Sequence, residues 1–416
     1  MTNDRDEHQT ASERAPLPFR EFIALLAWLM ALTALSIDIM LPALPEIGRD
    51  LGASSDNERQ LVVTTYLLGL ALGQLVWGPI SDRIGRKPPL LAGLVVYAVG
   101  GLVAYFSESL LVLLGARMLQ GFGGAAARTI GTAIVRDAYE GRPMARVMSF
   151  VMTVFILVPV LAPAVGQGII AVSTWRVSFL GLFFAGLVAL AWVGLRLPET
   201  HPDRAAGQPA NSKPRMGFGA GLRMIMTNRV TVGYGMASGF MFGTLVSYIS
   251  SAQQIFVDHF GLGKLFPVAF GAIAGTMALA AMTNAQLVQR LGMRRLAHTG
   301  VICFIVVAGA LVALAANGKP PMIPFAIMLG GCFFLFGITM PNLNAIAMQP
   351  VGQVAGLASS LIGSSTTVMG VIFGSIIGQS FDGTPRPLAI GFAAMGICAF
   401  LAVIAVEGRK GLFKGE

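Results

Sequence analysis

Apolar runs of roughly twenty residues, each closed by a short polar interruption, recur along almost the whole chain, and that is the length a helix needs to cross a bilayer. Marking them off predicts spans at 22–44, 60–80, 89–107, 109–132, 145–169 and 177–197, then, after a long polar connection, at 230–251, 265–288, 297–316, 321–344, 354–379 and 388–407. None shows the every-second-residue alternation over about ten residues that marks a membrane β-barrel strand. The expected fold is an all-α membrane protein of twelve transmembrane helices in two pseudo-symmetric six-helix halves. The first half is expected at 21–197 and the second at 229–408, with a linker at 198–228 and polar tails at 1–20 and 409–416.

Composition sharpens this picture. Of 416 residues, 55% are hydrophobic and only 12% charged, about half the charge of an ordinary soluble domain, which excludes a secreted domain or a single-span receptor. The net charge of +9 does not point to nucleic acid, because the basic residues lie between apolar runs rather than on one face of a soluble domain. They fall unevenly. Arg83, Arg86 and Lys87, Arg136, Arg142 and Arg146, the linker cations from Arg196 to Arg229, Arg290, Arg294 and Arg295, and Arg409, Lys410 and Lys414 share one side. The positive-inside rule makes that side, and both termini, cytoplasmic. The N-terminal tail lacks the basic-then-apolar pattern of a signal peptide and reads as disordered cytoplasmic sequence. Cys303, Cys332 and Cys398 sit inside apolar runs with no C-x-x-C pair, so they read as packing residues. No metal and no cofactor is expected, and the chain is expected to be a monomer in lipid.

A short repeat supports the two halves: DRIGRKPPLLAG at 82–93 lines up with QRLGMRRLAHTG at 289–300, each after the second span of its half. Six-span halves of equal topology place a substrate site between them near mid-membrane.

Ionisable residues inside spans are costly and are functional candidates by default. Asp38, in the outward half of the first span, is the one carboxylate well inside any span. A carboxyl group open to each face in turn couples proton flow to transport; the plainer reading is a structural acid at a cavity rim. Arg117 lies about nine residues, or roughly 14 Å, below the outer end of the fourth span. It either approaches Asp38, directly or through water, or ties helices together through backbone carbonyls. Arg128 is nearer the cytoplasmic end, from which it snorkels to the interface. In the loop from Gly78 to Lys87, Gly78 and Gly85 permit close approach and positive φ, Asp82 is placed to accept from helix N-terminal amides, and Arg83, Arg86 and Lys87 anchor to anionic lipid. The loop reads as a latch or as a positive-inside turn. Pro159 and Pro163 kink the fifth span, while Gly166 and Gly168 admit a neighbouring helix. Tyr66, Gln74, Gln120, Tyr248, Asn284, Asn342 and Asn344 are costly against lipid and so face the bundle interior; Ile37 and Leu41, flanking Asp38, are counted with the cavity.

These residues together resemble the major facilitator superfamily, specifically its twelve-span drug:proton antiporters and their bicyclomycin-resistance and chloramphenicol-exporter branch. Gly78-x-x-x-Asp82-Arg83-x-Gly85-Arg86-Lys87 resembles the family's loop signature. The resemblance implies a cytoplasmic gate of Gly78, Asp82, Arg83, Gly85 and Arg86 with an acid after helix 4, here Asp137. Arg117-x-x-Gln120-Gly121 is similar to the helix 4 motif tied to proton transfer, and Asp38-Ile-Met-Leu-Pro42 to the helix 1 motif whose acid carries the proton and contacts substrate. Pro163 and Gly166 resemble the helix 5 antiporter motif, with two glycines missing. Trp175-Arg176-x-x-Phe179 and Leu197-Pro-Glu-Thr200 match the same branch, whereas Gln289 stands where the second loop would carry an acid.

The implied function is proton-coupled efflux of small lipophilic drugs of the phenicol, bicyclomycin or sulfonamide type across the bacterial inner membrane. The alternative is a proton-coupled uptake symporter for a small organic anion or nutrient, with Arg117 in a substrate role. An intramembrane enzyme is disfavoured: Asp38 has no second buried acid, and His8, His201, His259 and His298 are scattered over the tail, loops and span ends.

Overall fold

The computed structural model describes residues 17–139, 141–201 and 218–411, and among these there is no strand. Helices are what lipid demands, because a backbone group left unpaired in hydrocarbon costs several kcal/mol and an α-helix satisfies its own. The spans are α1 (Phe19–Asp38), α2 (Leu61–Ile84), α3 (Lys87–Tyr105), α4 (Leu110–Ala138), α5 (Gly141–Val172) and α6 (Arg176–Arg196), then α7 (Arg229–Gln253), α8 (Phe266–Leu291), α9 (Met293–Ala315), α10 (Met322–Met348), α11 (Ala355–Gln379) and α12 (Arg386–Gly411). Ten helical runs among the described residues are long and apolar enough to cross a membrane. One of them, Met322–Gln379, turns at Val351 and makes two spans, and α5 completes the twelve.

The packing repeats. In the first half α4 packs on α1, α2 and α3, α6 on α1 and α3, and α5 on α1; in the second, α10 packs on α7, α8 and α9, α12 on α7 and α9, and α11 on α7. Between halves the main contacts are α2 with α11 and α8 with α5, which are also equivalent pairs. The aligned loops share a backbone device as well: α2 ends on Gly85 (φ 105°) and α8 on Gly292 (φ 79°), a region costly for any residue with a Cβ.

Two elements depart from the pattern reading. The first span is not one helix: α1 stops at Asp38, and a 3₁₀ turn (Leu41–Ala43) and a short helix (Leu44–Asp50) follow. Pro42 explains the break, since it offers no N–H to the Asp38 carbonyl four residues back and its ring crowds that oxygen. The linker contains a short helix, Phe218–Thr227, with Ile225 buried; residues 202–217 lie outside the described region, as do 1–16, Glu140 and 412–416. Of the linker and tail cations, Arg204, Lys213, Arg215 and Lys414 fall there.

At mid-bundle Ser364 of α11 donates to the Ala71 carbonyl of α2 (2.8 Å), and most other polar contacts between halves among the described residues gather at one end. Arg59 pairs with Asp258, and Gln60 bonds Gln254 and the Gly378 carbonyl. Asn57 donates to the carbonyls of Gln379 (2.9 Å) and Phe381 (3.0 Å), and Gln254 donates to Asn57 Oδ1 (2.8 Å). Gln254 and Asp258 reach across because α7 unwinds into a π-turn at Gln254–His259. We call this the far end and the opposite one, with the 78–87 loop, the loop end.

Candidate functional site

Asp38 is the last residue of α1, so the break set by Pro42 leaves its carboxylate where the helix opens. Its residue is 3% exposed, and no described residue gives it a hydrogen bond or an ion pair. Tyr248 on α7, in the other half, stands within electrostatic reach of it. The Tyr248 ring stacks on Phe270 at 5.3 Å and meets Phe333 at 4.7 Å, and its buried hydroxyl has no hydrogen-bond partner. Ile37 and Leu41, beside Asp38, are buried. Asp38 on one half thus lies within electrostatic reach of Tyr248, a member of an aromatic cluster on the other, with no pairing to a described residue.

Arg117 does not pair with Asp38. Its guanidinium, fully buried, donates from Nε to the Val62 carbonyl (3.0 Å), from Nη1 to Gln120 Oε1 (2.6 Å) and from Nη2 to the Ser36 carbonyl (2.8 Å), and lies 4.4 Å over the Tyr66 ring. The Ser36 carbonyl is among the last of α1, which a helix leaves open. Of the two expected roles, the carbonyl tie is the one present, and it fixes the backbone two residues before Asp38. Gln120 and Tyr66 therefore belong to this clamp rather than to a space between halves; Gln120 lies against Gly101 of α3. Asn342 likewise bonds Asn284 (2.7 Å) and the Ile338 carbonyl, a helix-to-helix tie inside the second half.

At the loop end, Arg86 is 4% exposed. It donates from Nε to Asp137 Oδ2 (2.6 Å) and from Nη1 to Asp82 Oδ1 (2.5 Å) and Ser81 Oγ (2.9 Å). Asp82 and Gly78 both approach α11, near Gly356 and Ser360. Arg83 stays outside this group, exposed on the surface. Nor does Asp82 cap α3: its place is taken by Glu199, after α6, which accepts from the backbone N–H groups of Arg86 (2.8 Å), Lys87 (3.2 Å), Thr200 and His201. Burial pushes the Glu199 carboxyl up, and those four amides more than offset it, leaving it below its ordinary 4.5.

In α5, Gly166 meets α1 beside the acid: a Cβ there would lie 1.8 Å from the Ile39 carbonyl oxygen. Pro163 is buried and Pro159 half-buried, and next to Pro159 the Val160 backbone packs on Gly271 of α8. The sequence reading missed Glu199 as a cap and the whole far-end network. In the sequence Glu199 stands out only as part of Leu197–Thr200, and nothing marks Arg59 as a partner of Asp258.

Residues 26–375 match the family model of the Major Facilitator Superfamily. The chain is 32% identical to the uncharacterized MFS-type transporter YdgK of Bacillus subtilis over 408 residues, covering 96% of each. It is 31% identical to the bicyclomycin resistance protein homolog of Haemophilus influenzae, covering 92% of this chain and 94% of that one. It is 29% identical to the multidrug resistance protein MdtL of Shewanella oneidensis, covering 82% and 84%. Among solved structures, the xylose transporter XylE from E. coli in a partially occluded inward open conformation has a TM-score of 0.72 at 13% identity, covering 96% of this chain and 99% of that one.

Proposed function

Starting from a chain that belongs to the Major Facilitator Superfamily, and so is a multi-pass membrane transporter rather than an enzyme, we propose that it exports small lipophilic drugs in exchange for protons. The substrates are of the phenicol, bicyclomycin or sulfonamide type, and the membrane is the bacterial inner membrane with both termini cytoplasmic. The names of the bicyclomycin-resistance and MdtL relatives support the efflux reading. The observation that carries it is Asp38: an acid buried at a helix break, with no hydrogen bond or ion pair from a described residue, within electrostatic reach of Tyr248 in the other half.

An unpaired carboxyl in a low-dielectric site prefers its neutral form. A guest that donates a hydrogen bond to the Asp38 carboxylate is held by the charged form, so the guest and the proton compete for one group and binding of either expels the other. Arg117 holds the α1 backbone and leaves the carboxyl free to titrate. The far-end network and the approach of Gly78 and Asp82 to α11 at the loop end are the contacts between halves that open and close in turn in this mechanism. Rocking of the halves over the α2–α11 and α5–α8 seams then exposes Asp38 to the other side. An organic-anion symporter would need fixed cations beside the site, and Arg117, which holds the Ser36 carbonyl two residues before Asp38, has its donors on carbonyl and amide oxygens of its own half.

The test is drug transport in inverted membrane vesicles under an imposed pH gradient. Gradient-driven accumulation of a phenicol or bicyclomycin by the wild type, lost in Asp38→Asn, is the expected result. Accumulation of a labelled organic acid instead, in counterflow, would establish the symporter.

A further inference from the structure

At the loop end, α2, α4 and α11 enclose a cavity of about 180 Å³ that lies between the two halves. Its wall is rich in donors and poor in acceptors. Arg86 is engaged by Asp137 and Asp82, but the guanidinium groups of Arg128 and Arg136, both on α4, make no hydrogen bond or ion pair with any described residue. Gln74 is 6% exposed and lines the same wall, and its Nε2 is buried without an acceptor. Asp82 is the one carboxylate on the wall, and its Oδ1 already receives Arg86. Among the described residues that face the cavity, three guanidinium groups stand against the two carboxylates Asp82 and Asp137, an excess of one positive charge. No aromatic side chain lines it, unlike the surroundings of Asp38.

Arginine keeps its proton at any physiological pH, so the excess charge cannot be relieved by titration, and in a weakly polar site it is costly. Arg128 does not reach the lipid interface as a snorkelling side chain would; it faces the seam. We propose that this cavity binds a small oxyanion, the carboxylate or phosphate group of a solute, held by Arg128, Arg136 and the Gln74 amide. Guanidinium forks match both groups in bidentate geometry. The bound anion lies against Ser359 and Ser360 of α11 and so bridges the halves at the loop end, apart from the site at Asp38.

The test is isothermal titration of the purified full-length protein with two probes, benzoate and inorganic phosphate, in the wild type, Arg128→Gln, Arg136→Gln and the surface control Arg223→Gln. Saturable binding of at least one probe is expected, weakened about tenfold or more in either α4 variant, as the loss of a charge-assisted pair demands, and unchanged in Arg223→Gln. Benzoate alone binding makes the occupant an organic acid, and phosphate alone makes it inorganic; both support the site. Should Arg128→Gln not fold, Arg136→Gln and Gln74→Leu read the same cavity. Absence of saturable binding of both probes, or equal affinity in the wild type and the α4 variants, overturns the proposal.

Discussion

Gly166 has no side chain because the Ile39 carbonyl occupies the place a Cβ would take, 1.8 Å away. Glycine at a helix crossing lets two backbones touch, and this crossing adjoins Asp38. Gly166→Ala should force α1 and α5 apart, costing about 2 kcal/mol of packing. A lowered Tm in detergent is the expected reading, with drug transport reduced in the vesicle assay. Glu199 makes a second prediction with a definite sign. Its folded carboxyl lies below the ordinary value, so its contribution is present above the ordinary carboxylate range and fades as pH falls through the folded value. Glu199→Ala should cost about 1 kcal/mol near neutral pH, the scale of a lost helix cap, and the gap between the two Tm values should close in acid. A gap that persists unchanged as the pH falls through the whole carboxylate range would exclude the cap. Single residues were unevenly legible in the sequence. Asp38 stands out because acids are scarce in oil. The partners of Arg117 do not, because they are mostly backbone carbonyls, which every residue carries.

At the scale of elements, the apolar runs marked the spans well, since the bilayer imposes their length, but they hid what happens inside them. The run at 22–44 is uniformly apolar around Asp38 and Pro42, so hydropathy passes over the break where α1 ends. The far-end network was equally silent: Arg59 and Asp258 are separated by 199 residues and sit in turns whose meeting only tertiary structure decides. The π-turn at Gln254–His259 is the element that delivers Asp258 to Arg59. If this contact holds the far end shut, Asp258→Asn should release it, because Arg59 is 6% exposed and would keep only the longer contact to Asp56 (3.9 Å) in its own half. Spin labels at Ser55 and Lys264 on a cysteine-free background should report a larger population at long distance, and higher ionic strength should act in the same direction on the wild type. An unchanged distance distribution would remove the contact from the gate.

At the scale of the molecule, two six-helix halves repeat one packing pattern and meet along two equivalent seams, α2 with α11 and α5 with α8. The twelve-span organisation was readable from hydropathy, and the aligned 82–93 and 289–300 segments pointed to its internal symmetry, now seen also in Gly85 and Gly292. The division of labour between the halves was not readable. The first half carries the acid and the carbonyl clamp that steadies its backbone, while the second supplies the facing aromatic cluster of Tyr248, Phe270 and Phe333. In the proposed mechanism both halves see the same proton, and Asp38 is the group that carries it. The most direct measurement is proton release from the purified protein on drug addition, followed with a pH indicator in weakly buffered detergent solution. The wild type should release protons as the drug saturates, and Asp38→Asn, binding the same drug, should release none. Equal release from the two proteins would contradict the assignment of proton coupling to Asp38.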